Sequence, residues 1–459
     1  MMTLLEAAQA TNGVATAGER AFSGVSTDSR TIGSGELFVA LRGERFDGHE
    51  YAREVLAKGA AAAMVNRDWA DGADLPLVQV ADTRLALGSL AGHWRRKFSL
   101  PLIGVTGSNG KTTVKEMCAL ILREHARRKG GDPAEAVLAT RGNLNNDIGL
   151  PMMLLRLREN HQAAVIEMGM NHAGEIAYLT RLAQPTVALI TNAQRAHLAG
   201  LGTLADVARA KGEIFEGLAN GGIAVINADD PHAALWRQLA AGKAMLSFGM
   251  NAPADARATA KIWAFSSEIA LECPQGKINF ELPVPGRHNV MNALAAATAC
   301  LAAGVSLDTV AAALSKYAGV KSRLQRRIGE NGALVIDDTY NANPDSMRAA
   351  IDVLASLPGR RILVMGDMGE AGENAGQLHD EIGGYAKSRG VDALFALGEL
   401  AATAAHNFTG GASHFGKIEQ LIAALKPELA ADVTVLVKGS RFMRMERVVD
   451  AITEKQHAA

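Results

Sequence analysis

Ile103-Gly104-Val105-Thr106-Gly107-Ser108-Asn109-Gly110-Lys111-Thr112-Thr113-Val114-Lys115 is the stretch from which the rest of this chain can be read. Leu102 to Val105 is a short apolar run, small polar residues and glycines follow, and a helical pattern opens at Thr112. A strand, a glycine loop and a helix N-terminus in that order form a phosphate cradle. Backbone N–H groups point inward, the helix dipole favours an anion, and Lys111 adds a mobile positive charge. Thr112 stands where a hydroxyl ligand for Mg²⁺ belongs. The strict pattern asks for a glycine five positions before Gly110. Val105 stands there, and the glycines fall at Gly104 and Gly107. An ordinary glycine-rich turn is the alternative reading; Gly110-Lys111-Thr112 with a strand before it and a helix after it weighs against that.

Composition narrows the classes. A chain of 459 residues is long for one domain, and two or three are expected. Hydrophobic residues at 48% can fill substantial cores, so a disordered chain is not expected. Lys and Arg number 47 against 48 Asp and Glu, which gives no electrostatic reason to expect nucleic acid or an anionic membrane as partner. Cys118, Cys273 and Cys300 are scattered, with neither metal spacing nor a disulfide framework, and fit a reducing cytoplasm. The N-terminus carries Glu6 and no basic start, so no signal peptide is expected. Apolar runs such as Ala293 to Ala303 are too short to span a bilayer, and no solenoid-length repeat is present.

Residues 1–97 read as a small α/β unit, with strands at 37–41, 61–65 and 77–80 and a helix over 50–58. Ser26 to Arg30 and Arg42 to His49 are polar clusters. From the residues alone they are turn and cap chemistry; the functional alternative is a site for the polar head of a substrate. Residues 98–320 form the central unit. Val114 to Arg128 repeats apolar residues at helical spacing. Thr140 to Pro151 carries Asn143, Asn145 and Asn146, either amide caps of a loop or hydrogen-bonding groups for a phosphate or a sugar. The buried strand 163–166 runs into Glu167, a carboxylate at the strand edge where open parallel sheets bind ligands. The strand 187–190 is followed by Thr191, Asn192 and then His197, which alone reads as structural.

Lys211 is more telling. Thr203 and Asp206 make a capping-box start, and Lys211 lies seven residues from both Leu204 and Leu218, inside the apolar stripe. Lysine is almost never fully buried without a partner. Either it snorkels to solvent or it is held in an electrostatic site, in a modified form or not. After the strand 223–227, about forty residues are less patterned and partly extended, ending at Pro285 to Asn289; Asn292 then lies on an alanine-rich helix. Residues 321–459 alternate strands and helices as a doubly wound sheet does. Here Asn343 as N-cap with Pro344 at the first helical position is a strong helix start.

Taken together these motifs resemble the Mur ligases, the ATP-dependent amide-forming enzymes of peptidoglycan synthesis, over nearly the whole chain. Thr106 to Thr113 looks like that family's own phosphate loop, which accounts for the failed strict pattern. The resemblance implies an α/β fold of three domains. These are a small N-terminal α/β substrate domain (1–97), a central phosphate-loop ATPase domain with a mainly parallel sheet (98–320) and a C-terminal Rossmann-like domain (321–459). It implies ATP held by Thr106, Gly107, Ser108, Asn109, Gly110, Lys111, Thr112, Thr113, His288, Asn289, Asn292, Arg323 and Asp337. Two Mg²⁺ ions are implied at Thr112, Glu167 and His197, with Lys211 carbamylated into an anion. Lys111, Glu167, His197, Lys211 and Arg323 are the implied catalytic set. The resemblance also turns the N-terminal clusters into a substrate site. Asp28, Ser29, Arg30, Asp47, Gly48 and His49 would hold the uridine end, and Asn145, Asn341 and Asn343 the rest. Asp337 to Met347, Met365 to Glu370 and Val437 to Glu446 look like the member that joins D-alanyl-D-alanine to UDP-N-acetylmuramoyl-tripeptide through an acyl phosphate. Ala371 departs from that pattern, where a leucine is expected. A cytoplasmic monomer is expected. The alternatives are the sister ligase that adds the third peptide residue, whose Asp-Asn-Pro-Arg element is absent here, a folylpolyglutamate-synthetase-like ligase, and a non-enzymatic nucleotide switch. The roughly 97 residues before the loop argue against the synthetase.

Overall fold

The computed structural model describes residues 1–69, 74–196 and 198–453. Three sheets organise them. The first has five strands: Val14–Ala15 (β1), Val25–Ser26 (β2), Leu37–Val39 (β3), Ala62–Asn66 (β4) and Leu77–Val80 (β5), in the order β1-β5-β4-β3-β2. Only β1 runs antiparallel to its neighbour. Asp82 caps the helix Thr83–Arg95 (α1), its carboxylate accepting from the N–H groups of Arg84 and Leu85 at 2.7 and 2.9 Å.

The central sheet has nine strands. They are Leu102–Thr106 (β6), Val137–Ala139 (β7), Ala163–Glu167 (β8), Val187–Ile190 (β9), Ile223–Asn227 (β10), Ala244–Gly249 (β11), Ala256–Ile262 (β12), Ser267–Cys273 (β13) and Gly276–Leu282 (β14). The order is β7-β8-β6-β9-β10-β11-β12-β13-β14. Pairing is parallel as far as β12 and antiparallel beyond it. The strands β6, β8 and β9 are buried throughout, as a sheet covered on both faces requires. After β6 the chain builds β7 and β8 on one side of it and then crosses to β9 on the other. This is a topological switch point, so a crevice opens at the C-terminal ends of these three strands. The helices Lys111–Arg128 (α2), Glu175–Ala183 (α3) and Leu204–Gly212 (α4) pack around that sheet, and Arg287–Ala302 (α5) lies against α2.

The segment 228–282 differs from its sequence reading. It holds a helix, Ala233–Leu239, and the strands β11 to β14. Ser267–Cys273 alternates strictly between buried and exposed residues, the signature of a half-buried antiparallel strand. The apolar stripe around Lys211 is also built differently: α4 ends at Gly212 and a 3₁₀ turn, Glu213–Gly217, carries the chain on to Leu218.

The third sheet contains Gln325–Ile328 (β15), Leu334–Asp338 (β16), Arg360–Gly366 (β17), Ala393–Leu397 (β18), Ala412–Phe415 (β19) and Val433–Lys438 (β20), ordered β15-β16-β20-β17-β18-β19. All pairs except β15 with β16 are parallel. Pro344–Ala355 (α6) starts as its sequence demands, with Asn343 and Ser346 capping each other. Among the described residues no helix is long and apolar enough to cross a membrane.

Candidate active site

The phosphate loop is held from the side by the end of β9. Asn109 N–H donates to Asn192 Oδ1 at 2.9 Å, and the Asn109 carbonyl accepts from Thr191 Oγ1 at 2.7 Å. Ser108 Oγ accepts from Gln194 N–H at 3.0 Å. Gly110 caps α2 with φ +83, and a Cβ there would lie 2.3 Å from Asn292 Oδ1. Gly107 has φ +145, and its Cβ would lie 1.9 Å from Thr191 Oγ1. Both positions therefore require glycine, on steric and on conformational grounds.

Glu167, at the end of β8, is 3% exposed. Its Oε2 accepts from Thr112 Oγ1 at 2.9 Å and its Oε1 from Asn145 Nδ2 at 2.8 Å. Arg323 reaches over from the third domain, and its Nη2 donates to Thr112 Oγ1 at 2.9 Å. The guanidinium lies 4.2 Å above the Tyr340 ring. Lys111 Nζ donates to the carbonyls of Gly107 and Ser108 at 2.7 and 3.0 Å. Burial lowers its pKa and Arg323 adds to that, while Glu167 and Glu370 oppose it.

Lys211 is fully buried, as its place in the stripe suggested, and it does not snorkel. Among the described residues its Nζ has no hydrogen-bond partner, and neither does Arg323 Nε. Burial pushes the Lys211 amine well below its ordinary value. Lys111 pushes it further down, and Glu213, Glu167 and Glu175 pull the other way. Two basic side chains with unmet donors, Lys211 and Arg323, thus lie near the one carboxylate of Glu167. His197 lies outside the described residues.

The phosphate loop from Ser108 to Thr113, Glu167 and Arg323 line one cleft of about 1930 Å³, roughly twice the upper size of an ordinary small-molecule pocket, with walls from all three domains; Lys211 is buried behind it. Asn145, His288, Asn289, Asn292, Asn341 and Asn343 also line it. Asn289 Nδ2 donates to the Pro285 carbonyl at 2.8 Å. Asn343 and Asn109 exchange amide hydrogen bonds of 2.8 and 3.2 Å across the seam between central and third domains. Desolvation pushes His288 down to about 4.

Other sequence-derived candidates sit elsewhere. Thr106 is buried, its hydroxyl donating to the Met168 carbonyl at 2.9 Å. Asp337 is turned away from the cleft. Its Oδ1 accepts from Thr339 N–H and Oγ1, and its Oδ2 from Ser322 Oγ. Alternation along β16 instead faces Asp338 into the cleft, where Lys438 Nζ donates to it at 2.6 Å and to the Asn341 carbonyl at 2.8 Å. Asp28, Ser29, Arg30, Asp47, Gly48 and His49 do not line the cleft. Asp28 pairs with Arg30 on the surface. Both His49 ring nitrogens are engaged, Nδ1 with Asp47 at 2.5 Å and Nε2 accepting from Asn66 N–H at 2.9 Å. A ligand contact through that ring would have to break one of these bonds.

Three groups at the cleft went unread in the sequence. Asn192 and Gln194 follow β9 and brace the loop. The Asp338–Lys438 pair was legible only as polar residues at two strand ends. Arg195 binds two carboxylates of the third domain, Asp345 through its guanidinium and its N–H and Glu381 through its guanidinium.

Known proteins share this fold. Family models described as the Mur ligase family catalytic domain, the Mur ligase middle domain and the Mur ligase glutamate ligase domain match residues 21–95, 105–300 and 322–441. UDP-N-acetylmuramoyl-tripeptide--D-alanyl-D-alanine ligase of Escherichia coli (strain K12) is 43% identical over 99% of this chain and 98% of its own. Two solved structures from Acinetobacter baumannii are 38% identical and each covers 98% of this chain. One, described as MurF, superposes with a TM-score of 0.90 over 98% of its own length. The other, described as UDP-N-acetylmuramoylalanyl-D-glutamyl-2,6-diaminopimelate--D-alanyl-D-alanyl ligase, reaches 0.86 over 97% of its own. A Thermotoga maritima MurF ligase in complex with ADP is 28% identical, with a TM-score of 0.82 over 94% of this chain and 97% of that one.

Proposed function

This chain belongs to the Mur ligase family, and on that premise we propose that it joins D-alanyl-D-alanine to UDP-N-acetylmuramoyl-tripeptide at the expense of ATP. The E. coli relative bears that activity in its name, and the T. maritima relative holds ADP. The observation that carries the reading is the meeting of Arg323 from the third domain with Thr112 and Glu167 beside the phosphate loop.

A carboxylate is a poor electrophile, so amide formation needs it phosphorylated first. The tripeptide's terminal carboxylate attacks the γ-phosphorus of ATP, giving an acyl phosphate and ADP. The amine of D-alanyl-D-alanine then attacks the acyl carbon, loses a proton, and phosphate leaves. Lys111 and the N–H groups of the first turn of α2 hold the phosphates in line, and Arg323, with an unmet buried donor, faces the charge that develops on transfer. His288, Asn289 and Asn292, on the first turns of α5, take the nucleotide side.

The Thr112 hydroxyl and Glu167 carboxylate are hard oxygen donors, and no cluster of three or more ligating side chains exists among the described residues. Mg²⁺ commonly binds through one or two carboxylates plus substrate phosphates, so the donor set fits an ion shared with ATP. When bound, it neutralises phosphate charge. The unpartnered Lys211 amine fits carbamylation, which converts it to an anion able to support a second ion together with His197. The uridine end of the substrate belongs to the N-terminal domain, with Asp28, Ser29, Arg30, Asp47 and Gly48 as its candidate contacts. Asn145, Asn341 and Asn343 serve the peptide side.

The test is phosphate release from ATP and Mg²⁺ with UDP-N-acetylmuramoyl-tripeptide, with and without D-alanyl-D-alanine. Release requiring both, with a UDP-pentapeptide by mass, is expected. Activity with UDP-N-acetylmuramoyl-dipeptide plus a diamino acid instead would assign the sister reaction. ATP binding with neither activity would leave a nucleotide switch.

A further inference from the structure

An ion pair stands in the cleft wall apart from the catalytic groups. Arg84, in the first turn of α1, donates through Nε to Asp147 Oδ2, linking the N-terminal domain to the loop before Gly149. Both side chains line the cleft and stay accessible, 56% for Arg84 and 32% for Asp147. Among the described residues neither Nη of Arg84 nor Oδ1 of Asp147 is hydrogen-bonded. The pair thus offers the cleft one free guanidinium edge and one free carboxylate oxygen, side by side. Leu85, 61% exposed, lies next to it on the same wall, and the half-buried Tyr178 completes the surround. The titratable groups facing the pair are few: the Asp82 carboxylate, which caps α1, and the neutral Tyr178 hydroxyl.

We propose that Arg84 and Asp147 receive the zwitterionic far end of the third peptide residue, an amine and a carboxylate on one carbon, as in diaminopimelate. The inference rests on the ligase reading. That reading fixes where the other end of the same residue lies: its reacting carboxylate must reach the phosphate loop beside Thr112 and Glu167. Asn145, which holds Glu167 at 2.8 Å, is only two residues before Asp147. Two residues span at most about 7 Å of chain, and five C–C bonds between the reacting carboxyl carbon and the distal zwitterion carbon reach roughly 6 Å. One side chain of that length can bridge the two sites, with its methylenes along Leu85. The carboxylate docks on the Nη edge of Arg84 and the ammonium on Asp147 Oδ1. A lysine at the same position brings an amine only. It satisfies Asp147 and leaves Arg84 without an anion, and a site built for a polar group discriminates against the analogue that lacks it.

The experiment compares kcat/KM for UDP-N-acetylmuramoyl-tripeptides ending in diaminopimelate and in lysine, using the full-length protein, Arg84→Met and Asp147→Asn. The parent is expected to prefer diaminopimelate. Arg84→Met is expected to lower the ratio of the two kcat/KM values at least ~10-fold, through KM for the diaminopimelate substrate. Asp147→Asn is expected to raise KM for both, since both carry the amine. An unaltered ratio in Arg84→Met, with both substrates losing equally, reduces the pair to a strut between domains and overturns the inference alone. A parent protein that turns over neither tripeptide overturns the ligase reading and this inference with it.

Discussion

Replacing Arg195 by alanine should uncouple the third domain from the phosphate loop. Arg195 follows β9, three residues after the Asn192 that braces Asn109. Its N–H donates to Asp345 Oδ2 at 2.8 Å, its Nη2 to Asp345 Oδ1 at 2.7 Å and its Nη1 to Glu381 Oε2 at 2.8 Å. Glu381 is shared with Arg348 at 2.8 Å. The three linked side chains are 26%, 23% and 35% exposed, so solvent screens them only partly. Asp345 holds the guanidinium pKa above its usual range, with Glu381 adding to it. Exposed pairs are worth 0–1 kcal/mol and removal of one buried partner costs 2–5, so this half-buried clasp is worth about 2 kcal/mol. Where the closed arrangement is the reactive one and the free protein is mainly open, that figure corresponds to a ~30-fold fall in the closed-to-open ratio. Steady-state kcat/KM for both substrates should fall by about that factor in Arg195→Ala. Small-angle scattering should show a larger radius of gyration, and the double variant with Asp345→Ala should lose less than the sum of the two single changes. Arg195→Lys should recover only part, since an ammonium cannot serve two carboxylates in a planar fork. Arg195→Ala activity within threefold of the parent, with unchanged scattering, would refute the reasoning.

Two more outcomes follow from two buried basic side chains. Lys211→Met should abolish turnover yet raise stability by about 1–2 kcal/mol in metal-free, CO₂-free buffer, because an apolar side chain replaces a buried amine without a partner; denaturant midpoints and phosphate release measure the two together. His288 has its pKa lowered to about 4, so between the unfolded value near 6.5 and that figure the unfolded chain binds the proton first. Stability should therefore fall as pH drops through that window, and His288→Gln should flatten that part of a pH-dependent unfolding series; an unchanged slope would place His288 in contact with water.

What could be read in the sequence was local. The phosphate loop, Glu167 at a strand end and the Asn343-Pro344 helix start each depend on residues within a few positions, and the structure forms each of them. Lys211 could be placed in a buried face by spacing alone, although that face comes from two pieces, a helix and a 3₁₀ turn. The clasp could not be read, because Arg195 meets partners 150 and 186 positions away. Asp337 and Asp338 show a second limit. Both end the same strand, and only the register of β16 against β20 decides which one faces the cleft. The strands β12 to β14 failed for a different reason: small and charged residues dilute a period-two pattern that β13 nonetheless carries without exception.

The site divides into a half held within the central domain and a half supplied by the third. The loop, Thr112, Glu167 and Asn145 are locked together within the central domain by hydrogen bonds of 2.7–2.9 Å. Arg323 comes from the third domain, and its neighbours Ser322 and Leu324 both have positive φ, 58° and 50°, which non-glycine residues adopt at a cost. Two left-handed residues in a row of three turn the chain sharply where it passes from the central domain into β15, and that turn aims the guanidinium back at Thr112. An acyl phosphate hydrolyses if water reaches it, whereas a cleft of this size must open to admit two substrates and ATP. Placing the last charge on the third domain reconciles these demands if that domain closes over bound substrates, because the phosphoryl acceptor would then meet its full set of cations only after the cleft had shut.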